Sequence, residues 1–86
     1  MAMTETVRVE VVFALPGRQV LLDVAVPQGT TAAGAVLLSG IAGQFPDVEV
    51  ASLPLGIFGK RVTADRVVQD GDRVELYRPL LADPRR

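Results

Sequence analysis

The stretch VRVEVVFALPGRQVLLDVAV, residues 7–26, decides the fold. Its odd positions up to Leu15 are all apolar, an alternation that is typical of a half-buried β-strand. Pro16 and Gly17 then interrupt the pattern with residues that suit the two central positions of a tight turn. Apolar residues return at every second position from Val20 onward. The stretch therefore predicts an antiparallel hairpin with one apolar face.

A short helix is predicted after this hairpin. Thr31 suits the N-cap position, because its hydroxyl oxygen can accept a backbone N–H of the first turn. Gly40 suits the left-handed position that follows a last helical turn, so the helix is expected to end near Ser39. This placement leaves Leu37 facing outward. The residues predicted to face the core are Ala32, Ala35, Val36 and Ser39.

The second half of the chain begins with an irregular segment. Residues 42–54 contain two prolines and show no regular period, so we expect a crossing segment that is anchored by Phe45 and Val48. A short strand is predicted over residues 55–58, with a turn at residues 59–60.

The remaining elements are short. An edge strand is predicted over residues 61–62 and a single helical turn over residues 63–68, with Val67 or Val68 filling the core. The sequence Asp70-Gly71 favours a turn. A final strand is predicted over residues 73–78, and Pro79 ends it because proline has no N–H to donate.

These elements predict a fold of the α+β class. Their order is strand, strand, helix, strand, short strand, strand, and a helix this short covers one face of a sheet. The pattern is that of the β-grasp, or ubiquitin-like, roll. We expect one domain over residues 1–86, with disordered ends over residues 1–5 and 81–86.

Composition excludes several kinds of chemistry. The chain has no cysteine and no histidine, which removes thiolate nucleophiles, disulfides and every Ser-His or Cys-His arrangement. A net charge of −1 argues against nucleic-acid binding, which usually shows as a basic domain. No apolar run approaches the roughly 18–20 residues that a membrane span needs. We expect a cytoplasmic protein that is not an enzyme and holds no metal or cofactor.

One block near the end of the sequence carries a family resemblance. It is DGDRVELYRPLLADPRR, residues 70–86, and shorter matches lie at residues 14–16 and 55–57. On these residues the chain resembles the small bacterial RnfH family, also described as the RatB group. The resemblance implies a β-grasp fold and a protein partner, such as a START-domain protein or an electron-transport protein. An antitoxin role has also been proposed for that group.

The end of the chain bears on a rival function. Sulfur carriers of the β-grasp fold need a slim Gly-Gly terminus, because it threads through a narrow channel to be activated. The last glycine here is Gly71, and the sequence ends Asp83-Pro84-Arg85-Arg86. We therefore favour noncovalent docking over a carrier function. The sulfur-carrier alternative and an RNA-binding module remain as rival hypotheses.

Two groups of residues are candidates for partner binding. The first lies at the C-terminal edge of the final strand, where tyrosine and arginine are residue types enriched at interface hot spots. Tyr77 has the alternative role of covering the sheet, and Arg78 that of pairing with Glu75. Asp70 and Asp72 are interpreted as turn residues rather than a cation site. The candidates are Tyr77, Arg78 and Leu80, and, as a second patch, Leu37, Phe58 and Lys60.

Overall fold

A computed structural model describes residues 5–15 and 17–77 of the chain. The elements are β1 (Thr6–Leu15), β2 (Arg18–Pro27), α1 (Ala32–Ser39), β3 (Leu55–Ile57), β4 (Lys60–Val62) and β5 (Arg73–Leu76), with 3₁₀ turns at Ile41–Gln44 and Val50–Ser52. The five strands form one sheet in the order β2-β1-β5-β3-β4, in which β1 and β5 run parallel and the other neighbours run antiparallel. The predicted α+β class is confirmed.

The core lies between α1 and one face of the sheet, which we call the inner face. Period-two alternation in β1 directs Val7, Val9, Val11 and Phe13 into it, as predicted. Burial of such side chains contributes roughly 1.5–3 kcal/mol each. The largest fully buried side chains are Phe13, Ile41, Leu76, Val11, Val26, Val68 and Val74.

The crossing segment between α1 and β3 is anchored more deeply than predicted. Phe45 and Val48 are partly buried against the core, and the ring of Phe45 meets Phe13 edge-on at 4.9 Å between centroids. Ile41 and Val50, which the sequence did not single out as anchors, are buried more completely. Each begins a 3₁₀ turn.

The ends of α1 follow the prediction closely. The hydroxyl oxygen of Thr31 accepts the N–H of Gly34 at 3.1 Å, and Gly40 follows the helix with φ of 75°. The free N–H groups of Ala32 and Ala33 donate to carbonyl oxygens of the segment between β4 and β5, so the first turn leaves few donors unpaired. Leu37 points outward and is 77% exposed.

The prediction of a helical turn over residues 63–68 is wrong. The segment runs beside the start of α1, where Val67 forms an isolated bridge with Thr31 and the N–H of Val68 donates to Thr30 at 2.9 Å. These distant backbone partners outweigh the weak local helical preference. Val68 fills the core at 2% exposure, which is one of the two alternatives that the sequence left open.

Two further boundaries differ from the prediction. β5 ends at Leu76, and the N–H of Tyr77 donates to the carbonyl oxygen of Pro54 at 2.9 Å. The predicted disordered ends lie outside the described residues except for Glu5, whose carbonyl oxygen accepts the N–H of Gln28 at 2.8 Å.

None of the helices in the described part of the chain has both the length and the apolar character to cross a membrane.

Candidate functional site: the outer face of the sheet

The outer face of the sheet, which faces away from α1, is crossed by one row of residues that takes one residue from each of the five strands. Because Val12 pairs with Leu21 and with Glu75, and Gly56 pairs with Glu75 and with Arg61, these five residues lie side by side. Val12 is only 5% exposed although it points away from the core. The row is therefore apolar in β1 and β2, and the charged residue Glu75 lies at its centre.

An ion pair lies next to this row. The Nε atom of Arg73 donates to Oε1 of Glu10 at 3.0 Å, and both side chains are partly exposed. A pair at this exposure contributes no more than about 1 kcal/mol to stability. Its larger effect is to hold two long side chains across the β1 and β5 backbones.

Tyr77 lies across Gly56 on the outer face. A Cβ atom at Gly56 would collide with the phenol ring, so only glycine leaves room for it there. The Tyr77 hydroxyl donates to Oε1 of Glu75 at 2.6 Å. This hydrogen bond, aided by burial and by the nearby carboxylate charge, raises the pKa of Tyr77 above its ordinary value, while Arg61 acts in the opposite direction.

The turn between β3 and β4 is formed by Phe58 and Gly59, one residue earlier than predicted. Ile57 pairs with Lys60, which leaves two residues in the loop, and their φ angles are 49° and 84°. Positive φ at both central residues defines a type I′ turn, which favours Asn-Gly or Gly-Gly. A phenylalanine at the first position is sterically unfavourable, which is why the sequence pointed to residues 59–60 instead.

Glu75 connects this turn to Tyr77. Its Oε1 atom accepts the N–H of Gly59 at 3.0 Å as well as the Tyr77 hydroxyl. One carboxylate oxygen thus holds both the turn and the tyrosine ring on the outer face. The ring of Phe58 remains 61% exposed at the tip of the turn. The sequence did not identify Glu75 or Gly56 as supports, because their pairing joins strands that lie far apart in the chain.

The structure places the predicted binding residues on two sides of the molecule. Phe58 lies in the β3–β4 turn and Lys60 follows that turn in β4, while Tyr77 is half-buried and is linked to the turn through Glu75. Leu37 lies on α1, on the other side of the sheet. Arg78 and Leu80 lie outside the described residues. The structure therefore groups Tyr77 with Phe58 and Lys60, and it separates Leu37 from them.

Asp70 and Asp72 act as turn residues. Asp70 accepts the N–H of Arg8 at 2.8 Å, and Asp72 accepts the N–H of Gln69 at the same distance. Both carboxylates thus satisfy backbone donors where the loop before β5 meets β1. Within residues 5–15 and 17–77, no three acidic, cysteine or histidine side chains are grouped so that they could hold a metal ion.

Comparison with known proteins agrees with this fold. Residues 7–86 match the family described as RnfH family Ubiquitin. A protein named Protein RnfH from Pseudomonas aeruginosa (strain UCBPP-PA14) is 58% identical over 81 residues, which cover 92% of this chain and 80% of that relative.

Two relatives from other genera have the same name. The Protein RnfH of Laribacter hongkongensis is 49% identical over 85 residues, covering 99% of this chain and 79% of the relative. That of Neisseria meningitidis serogroup C / serotype 2a is 52% identical over 77 residues, covering 90% and 84%. With its ubiquitin-like sheet and helix, this chain belongs to the RnfH family.

Proposed function

We propose that this protein docks noncovalently to a protein partner through the outer face of its sheet, with Phe58 as the central anchor. The observation that carries the proposal is the left-handed backbone of Phe58, with φ of 49°, combined with a ring that is 61% exposed. A bulky residue in this conformation costs on the order of 1–3 kcal/mol. Neither burial of the ring nor a preference of the turn for phenylalanine offsets that cost, which is why we assign the ring a role in binding.

The surroundings of Phe58 suit a binding anchor. Interface cores are enriched in aromatic side chains, phenylalanine included, and the rim around them is polar. Here Glu75 holds the turn through Gly59, and Lys60 and Arg61 follow directly in β4. The partner surface that fits this arrangement is an apolar pocket with an acidic rim.

The resemblance to the RnfH family suggests which partner to test first. A START-domain protein and an electron-transport protein are the two classes that it implies. The docking involves no catalysis by this chain, and Tyr77 contributes by supporting Glu75 rather than by direct contact alone. Arg78 remains a predicted contact of this surface.

The test is the substitution Phe58→Asn. Asparagine tolerates the left-handed conformation and forms the favoured Asn-Gly turn, so the variant keeps the fold while it loses the ring. We expect the immobilised variant to lose at least tenfold in affinity for a START-domain or electron-transport protein that the unchanged chain captures from its native extract. The control is Leu38→Asn, which removes a side chain of similar exposure, 56%, from α1.

Two results would contradict the proposal. One is equal capture by the Phe58→Asn variant and by the unchanged chain. The other is the isolation of the native protein with an adenylate or a thiocarboxylate on its C-terminal carboxyl group, which would favour the sulfur-carrier hypothesis. Mass spectrometry of the intact protein, after incubation with ATP and an activating enzyme, detects both adducts.

A further inference from the structure

An apolar groove lies on the helix side of the molecule, away from the Phe58 turn. It has a volume of about 220 Å³ and is bounded by α1 on one side and by the 3₁₀ turn before β3 on the other. The exposed side chain of Leu37 forms part of its rim. Its lining includes Ala33, Val36, Leu37, Val50, Ala51 and Leu55.

The C-terminal segment, residues 78–86, starts beside this groove. Leu76 of β5 pairs with Leu55, which lines the groove, and the N–H of Tyr77 donates to Pro54. The two strands run antiparallel, so residues after Tyr77 run back alongside residues before Pro54. Continued in this direction for about 10 Å beyond Tyr77, at 3.3 Å per residue, an extended chain would bring Leu80 level with the 3₁₀ turn that contains Ala51.

The sequence of this segment suits the groove. Arg78 precedes a proline and is therefore restricted to extended conformations. In an extended chain alternate residues share a face, so an extended continuation would put Leu80 on the same face as Leu76, which points into the core at 1% exposure. The same alternation would put Leu81 on the opposite face.

Charge also favours this occupant. The segment that leads from the 3₁₀ turn at residues 41–44 to the groove contains Asp47 and Glu49, both exposed, and no basic residue up to β3. The C-terminal segment contains Arg85 and Arg86, which would reach the same region if Leu80 lies at the 3₁₀ turn. Attraction between such exposed charges is modest and depends on salt.

We propose that the C-terminal segment of this same chain occupies the groove, with the Leu80 side chain inserted between α1 and the 3₁₀ turn at residues 50–52. The groove thus binds an internal ligand, and a partner that uses it must first displace the segment. This binding is independent of the Phe58 turn, so the Phe58→Asn variant keeps it.

The experiment uses paramagnetic broadening of NMR signals. Because the chain has no cysteine, Asp83→Cys gives one attachment point for a nitroxide spin label. We expect strong loss of the methyl signals of Ala33, Leu37 and Ala51 in the labelled full-length chain, and little loss for Ala25 in β2. An equal loss of methyl signal at all four residues, or no loss at any of them, would overturn the proposal.

Two additions make the result specific. Adding Leu80→Ser to the labelled chain should restore the groove signals, whereas Leu81→Ser should leave them broadened; equal behaviour of the two variants would overturn the role of Leu80. Mixing spin-labelled chain with isotope-labelled chain that carries no spin label should broaden nothing. Broadening in that mixture would instead assign the groove to the segment of a second copy.

Discussion

Phe13 and Phe58 lie in two hairpins of the same sheet and have opposite surroundings. Phe13 is fully buried in a hairpin whose strands have ten residues each, and it packs edge-on against Phe45. Phe58 is exposed at the turn of a hairpin whose strands have three residues each. The first ring stabilises the fold. The second is placed where the fold gains little from it.

The two hairpins also differ in what holds them together. The β1–β2 hairpin has a long ladder and an alternating apolar face of its own. The β3–β4 hairpin depends on its neighbours, because β5 pairs with β3 and Glu75 of β5 accepts the N–H of Gly59. Isolated short hairpins are at best marginally stable. A strained turn therefore persists here because residues outside it hold it in place.

The largest expected effect breaks the first hairpin. Phe13→Ala should lower the free energy of unfolding by about 3–5 kcal/mol, because it leaves a cavity between the sheet, α1 and Phe45. Urea denaturation followed by circular dichroism measures the loss. The matched control is Phe58→Ala, for which we expect a loss below about 1 kcal/mol. Similar losses for the two alanine variants would refute the contrast between the two rings.

The next effect concerns the support of the second hairpin. Gly56→Ala should cost about 1–3 kcal/mol, because the new Cβ atom displaces the Tyr77 ring from the outer face. In a Tyr77→Ala background the same change should cost much less, and a double-mutant cycle measures that coupling. Gly43→Ala, where a Cβ atom meets no neighbour within 4 Å, is the control. If the losses of stability from Gly56→Ala and Tyr77→Ala simply add in the double variant, the Tyr77 ring does not pack against Gly56 as described.

A smaller effect measures the strain at the turn itself. Phe58→Asn should leave the free energy of unfolding unchanged or raise it by up to about 1 kcal/mol, because asparagine tolerates positive φ better than phenylalanine. Phe58→Ala removes the ring but keeps the strain. The difference in unfolding free energy between the asparagine and alanine variants therefore measures the cost of the left-handed backbone at position 58. If the Phe58→Asn variant is less stable than the Phe58→Ala variant, the backbone at this position is not strained as described.

The smallest effect is on the ionisation of Tyr77, the chain's single tyrosine. Its raised pKa means that the neutral phenol is favoured in the folded state. The resulting stabilisation is fully present below the ordinary pKa of 10.0 and is lost as the pH rises through the higher folded value.

Glu75→Gln should move the midpoint of this titration down toward 10.0, because the hydrogen bond that the phenol donates to this carboxylate is the main cause of the shift. Ultraviolet absorbance of tyrosinate reports the midpoint directly. Glu10→Gln removes a carboxylate from the same face and should leave the midpoint where it is. An unchanged midpoint in the Glu75 variant would contradict the hydrogen bond between the two side chains.

The sequence was most informative where local chemistry decides the structure. Alternating apolar residues identified the inner face of β1 and β2, and Thr31 and Gly40 marked the ends of α1 because capping depends on neighbours within a few residues. The α+β fold followed from these elements.

Sequence reasoning failed where a distant backbone supplies the partner. Residues 63–68 pair with the start of α1, about thirty positions earlier in the chain, and so do not form the predicted helical turn. The turn at Phe58 was placed one residue late because its strained conformation contradicts the usual preference. Tyr77, Phe58 and Lys60 were recognised as residue types suited to binding, but Glu75, which joins them, was not.

The parallel pairing of β1 with β5 has a consequence for how the protein is made. Glu10 and Arg73 are 63 positions apart in the chain and are neighbours in the sheet. During synthesis β5 therefore leaves the ribosome long after β1, at about 5–20 residues per second. Until then the β1–β2 hairpin has an open edge that can pair with other nascent chains. Synthesis that stalls before residue 73 would release an aggregation-prone hairpin rather than a partly working protein.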